Sequence, residues 1–113
     1  MQTQNCDSNI LLLHWGAEYR IQPNKQQTQL AHTLIEHGAD IILGGHSHIP
    51  GAIEFYQGKP IFYSFGNFIF DQDRGKKATG KNFDYTYDYE LNRKTVATYI
   101  PLLAQITLTK SQT

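Results

Sequence analysis

The sequence predicts an α/β domain: a βαβ unit followed by a hairpin and closing antiparallel strands. Three observations carry this. Two short apolar runs, Asn9-Ile10-Leu11-Leu12-Leu13 and Asp40-Ile41-Ile42-Leu43, have the unbroken pattern of strands covered on both faces. A capped amphipathic stretch lies between them. Beyond Gly51 the chain turns aromatic and alternating, with a turn signal in the middle.

The first strand ends where His14-Trp15-Gly16 breaks the apolar run, and a loop follows. Asn24 is placed to cap a helix over 25–37, with Leu30, Ala31, Leu34 and Ile35 as its apolar stripe and Gly38 as the left-handed stop. Strand, helix and strand together occupy about 35 residues, the length of a βαβ crossover, so the two strands are expected to run parallel. Ile53-Glu54-Phe55-Tyr56 and Ile61-Phe62-Tyr63-Ser64-Phe65, joined through Gln57-Gly58-Lys59-Pro60, read as a hairpin. Gly66-Asn67 then bends the chain, and residues 71–84, polar and charged, read as a flexible surface loop. The apolar positions between Thr95 and Leu108 predict one or two closing strands bent near Pro101.

Composition excludes several classes. At 113 residues the chain has room for a single domain, 1–113, with a core of its own. Ten basic residues balance ten acidic ones, so no global field draws it to nucleic acid or to an anionic membrane. The lone Cys6 rules out an internal disulfide framework. No run approaches the roughly 20 apolar residues of a membrane span, and the first residues, Met1-Gln2-Thr3-Gln4-Asn5, lack the parts of a signal peptide.

The chemistry lies in the histidines. In Gly44-Gly45-His46-Ser47-His48, an extended backbone would point His46 and His48 to one side and Ser47 to the other. Both follow the second strand as His14 ends the first, and parallel strands place those carboxyl ends on one sheet edge, where open α/β sheets bind ligands. Imidazoles so gathered suit a divalent metal of the zinc, iron or manganese type. The competing reading is a strand-end turn with ordinary polar residues. Glu18 is a candidate to accept a hydrogen bond from a ligating imidazole, and Asn67 and Asp71 follow a strand that can reach the same edge. Each also reads as a loop or turn residue. Trp15 is expected to complete the core or to wall the site. His32, facing away from the helix stripe, and His37, in the last turn, are expected to be structural.

Three ordered segments carry a resemblance: His14-Trp15-Gly16-Ala17-Glu18-Tyr19, then Gly44 to His48, then Ile61-Phe62-Tyr63-Ser64-Phe65-Gly66-Asn67-Phe68-Ile69-Phe70-Asp71. Together they resemble the CapA family of poly-γ-glutamate capsule synthesis proteins, a branch of the calcineurin-like metallophosphatase superfamily, over about residues 7 to 75. The resemblance implies a two-sheet sandwich flanked by helices and a two-metal site, with His14 and His46 toward one divalent ion and His48 toward the other. It implies a hydrolase-like centre for a phosphoester or for polyanionic poly-γ-glutamate, and a role at the cell envelope. It also implies further ligands, an aspartate, an acidic residue and an Asn-His pair, upstream of the segment matching His14. Asp7 precedes a strand and lies at the wrong end of the sheet to replace them. The expectation is therefore the carboxyl-terminal half of such a domain with an incomplete site, its bare strands covered by a homo-oligomer or by a separately encoded amino-terminal half. A non-catalytic envelope assembly or binding module is the alternative.

Overall fold

The computed structural model describes residues 6–68 and 102–109. Strand β1 (Ile10–His14) leads through helix α1 (Lys25–Glu36) to β2 (Ile41–Gly45), and the hairpin β3 (Ile53–Tyr56) and β4 (Lys59–Phe62) completes a four-stranded sheet in the order β1-β2-β4-β3. As expected, β1 and β2 are parallel, with Ile10 opposite Ile41 and His14 opposite Gly45. Strand β4 also runs parallel to β2, and only β3, on the far edge, is antiparallel. Three carboxyl ends thus share one edge.

Local chemistry explains the helix limits. Asn24 Oδ1 accepts the Gln27 backbone N–H at 2.8 Å, and Gln27 Oε1 accepts the Asn24 N–H at 3.1 Å, a reciprocal capping box. At the other end Gly38 takes φ +102°, its N–H bonding Ile35 O while the Ala39 N–H reaches Leu34 O. This is the paired closure of a Schellman motif, which requires the left-handed residue that glycine supplies. The stripe differs in one place from expectation: Ala31 and Ile35 are buried and Leu34 half-buried, but Leu30 is 48% exposed. One face of one sheet is too narrow to cover all four.

The hairpin turns through Gln57 and Gly58, both left-handed, so β4 begins at Lys59 and ends at Phe62 instead of spanning 61–65. Pro60 is tolerated because pairing with β2 starts only at Ile61. The expected closing strands are not seen in residues 102–109, which carry no strand; the Leu102 N–H bonds Phe65 O at 3.2 Å. The rest of that stretch, and the loop 71–84, lie outside the described residues. Among the described residues no helix is long and apolar enough to cross a membrane.

Alternation divides the sheet into two unlike faces. One presents Leu11, Leu13, Ile42 and Ile61 to α1, where Ala31, Ile35, Ala39, Ile42, Ile61 and Tyr63 form the core. The other carries Ile10, Leu12, Ile41, Leu43, Phe62, Ile53 and Phe55, of which Ile41 is buried and Leu43 and Phe62 half-buried. Here the reading of β1 as a strand covered on both faces is corrected: Leu12 is 79% and Phe55 72% exposed. The helix lies on one side only, so this edge strand is left half-solvated.

His32 does not face away from the core. Its Nε2 meets Glu54 Oε1 at 2.7 Å, and its ring stacks on Tyr56 at 3.8 Å, tying α1 to β3. The other carboxylate oxygen of Glu54 accepts the Tyr63 hydroxyl at 2.6 Å. That hydroxyl, and then His32, hold the Glu54 carboxyl below the ordinary carboxylate range, while burial and Glu54 together push Tyr63 up to about 12. Because the folded state favours ionised Glu54, its contribution is present above the unfolded carboxylate pKa and is lost as pH falls through the lower, folded one. Wild type is expected to lose more stability than Glu54→Gln between about pH 5 and pH 3 in urea titrations. Parallel losses would remove Glu54 from the account.

Candidate functional site

His14, the last residue of β1, and His46, the first beyond β2, stand with ring centroids 4.4 Å apart, tilted by 50°. The His48 ring lies 6.4 Å from that of His46. The shared sheet edge was legible from strand order, but the route to it was not. Residues 46–49 bend instead of extending, and His46 at φ +102° and His48 at φ +63° are both left-handed. Such backbone costs on the order of 1–3 kcal/mol at each non-glycine residue and persists only where its surroundings enforce it. Buried Ser47 does so: its hydroxyl donates to Ile49 O at 2.7 Å, and its carbonyl accepts the N–H of Tyr19, itself left-handed.

Asn67 reaches the same edge because residues 63–66 run beside the turn. The Phe65 N–H bonds Gly44 O, and Pro50 and Phe65 form an isolated antiparallel bridge. His48 Nδ1–H donates to Asn67 Oδ1 at 3.0 Å, which assigns the lone pair of the neutral ring to Nε2. That Nε2 lies 3.8 Å from Glu18 Oε1, on an exposed loop side chain. Glu18 thus sits beside His48, and Asn67, expected either to reach this edge or to serve only as a turn residue, hydrogen-bonds the His48 imidazole. Asp71 lies outside the described residues. Among the described residues no three His, Cys, Asp or Glu side chains converge on a point that would hold a metal ion.

A match to the family of bacterial capsule synthesis proteins, PGA_cap, covers residues 1–72. The chain belongs to the PGA_cap family. Among its relatives, the PGA biosynthesis protein CapA of Bacillus subtilis is 49% identical over 69 residues, 61% of this chain and 18% of that protein. The capsule biosynthesis protein CapA of Bacillus anthracis is 44% identical over 68 residues, 60% of this chain and 16% of its own. A probable polyglutamine synthesis accessory protein of Mycobacterium tuberculosis is 37% identical over 67 residues, 59% and 18% of the two chains. The PGA_cap chain therefore spans under a fifth of the length of these relatives. The resemblance read from the three histidine-bearing and strand-end segments is thereby established at family level.

In this PGA_cap chain Trp15 finds its partners far along the sequence. The indole packs on the helix face, stacked on Tyr63 at 5.5 Å and 17°, and its Nε1–H donates to Tyr63 O at 2.9 Å. It crosses Gly44, where a Cβ would stand 2.5 Å from Nε1 and 2.3 Å from that carbonyl. The only available signal was the pair of glycines, and nothing in the sequence says which of the two is required.

Proposed function

We propose that this chain contributes the imidazole wall of a divalent-metal site in a protein of capsule-polymer synthesis, a site that acts on a phosphoester or on a γ-glutamyl polymer. The observation carrying this reading is the placement of His14 against His46 at the carboxyl edge of three parallel strands, with His48 beside them and its tautomer set by Asn67. A metal-ligating histidine commonly gives its second nitrogen to a carbonyl or carboxylate in this way. His14 and His46 would take one side of a site for zinc, iron or manganese, and His48, which does not converge with them on one point, would face a neighbouring ion; the remaining positions call for donors beyond these three. A divalent ion there supplies Lewis acidity toward a phosphoryl or carbonyl oxygen. The chain's own residues orient His48 through Asn67 and hold the left-handed turn through Ser47.

The test is Mn²⁺ and Zn²⁺ binding by the full chain, read by titration calorimetry. His46→Ala/His48→Ala is expected to abolish binding, and Asn67→Ala to weaken it by about 10- to 100-fold. Equal, near-zero binding by wild type and the double variant would sink the metal reading. Bound metal without turnover of an aryl phosphoester would favour a binding role.

A second reading, a non-catalytic assembly module at the cell envelope, is favoured by the apolar sheet face. Leu12 and Phe55 are too large and too exposed for a face meant to stay in water. His14 lies in the same alternating row as Ile10 and Leu12, so whatever covers this face also arrives at the imidazoles. A second copy or an amino-terminal half of the family's domain would meet that need.

A further inference from the structure

We propose that Trp15 is the positioning residue of the histidine cluster, acting through the backbone ends of three strands. The role rests on the reading of His14 and His46 as partners in one site.

His14 ends an edge strand, which has a neighbour on one side only, and edge-strand ends are where a sheet frays. The next residue prevents this. The Trp15 backbone N–H bonds Gly45 O at 3.2 Å, one step past the β1–β2 ladder. Its indole then crosses β2 over Gly44 and ends on the carbonyl of Tyr63, just beyond β4. One side chain thereby ties β1, β2 and β4 at a single level.

The anchor is itself held. The Tyr63 N–H bonds Ala52 O at 3.0 Å, and its hydroxyl is fixed by Glu54. The indole packs with the core on the helix face, whereas His14 is exposed in the row of the opposite face. Trp15 therefore acts on His14 through the chain. With β1 pinned to Gly45, and His46 following Gly45 directly, the two imidazoles are left 4.4 Å apart.

Trp15 is the only tryptophan, so its indole N–H gives a single resonance. In the wild-type chain that proton is expected to exchange slowly, and ring protons of His14 and His46 to show a mutual nuclear Overhauser effect. Trp15→Phe keeps an aromatic ring over Gly44 but removes the donor. It is expected to stay folded by far-UV circular dichroism, to lose the His14–His46 effect, and to weaken Mn²⁺ binding by about 10-fold or more. Ile35→Val, a core change that costs stability without touching the strand ends, is expected to leave both readouts unchanged. A folded Trp15→Phe chain that keeps the ring-to-ring effect overturns the proposal. If Trp15→Phe does not fold, the wild type decides: an unprotected indole proton, or no effect between the two rings, overturns it equally. A wild type that shows both signals but binds no Mn²⁺ defeats the metal reading and leaves the positioning role supported.

Discussion

Gly44→Ala is expected to cost about 3 kcal/mol of stability, while Gly45→Ala, one residue on, leaves stability unchanged or raises it slightly. Both glycines belong to β2, and both stand before His46 in the motif that first drew attention to this edge. Their surroundings differ. A Cβ on Gly44 would meet the Tyr63 and Phe62 carbonyls at 2.3 and 2.7 Å and the Trp15 indole nitrogen at 2.5 Å. Two of these are backbone atoms of the neighbouring strand, so the strand must shift or the indole must leave. A Cβ on Gly45 meets nothing within 4 Å, because it points to the open face. Urea unfolding of the two variants measures the contrast. Similar losses at the two positions would show that the motif needs flexible backbone and not a close approach over Gly44.

If copies of the chain pair through the sheet face that carries Leu12 and Phe55, Leu12→Glu/Phe55→Lys is expected to give a monomer that stays soluble to higher concentration. Together with Ile53, which is 48% exposed, these side chains form an apolar face that gains about 1.5–3 kcal/mol for each large residue removed from water. With no net charge to keep copies apart, association has little electrostatic opposition. Opposite charges at the two positions keep that balance, so a change in sedimentation reports the loss of apolar area alone. A wild-type chain that sediments as one folded, monomeric species at all concentrations would sink the self-association reading.

Several features were legible without coordinates because each depends on neighbours in sequence. The helix start follows from Asn24 and Gln27, three residues apart, and its end from Gly38. Parallel β1 and β2 follow from the length of the crossover, and with them the placing of His14, His46 and His48 on one edge. Family membership was legible in the same residues, since the segments that carry it are those strand ends.

What failed, or could not be asked, depends on distant partners. An apolar run looks the same whether one face of a strand is covered or two, so the exposure of Leu12 was hidden. The His-x-His spacing suggested an extended backbone, yet left-handed residues held by the Ser47 hydrogen bonds bring the rings together. His32 finds Glu54 and Tyr56 on the hairpin, a partnership that helix periodicity cannot show. Sequence alone therefore determined which elements form and which strand ends meet, because capping, turn chemistry and crossover length act over a few residues. Only the tertiary structure decided that Gly44 must be bare, that Asn67 orients His48 and that Leu12 and Phe55 stand exposed on one sheet face. Each of those is set by atoms that approach through space from strands far apart in the chain.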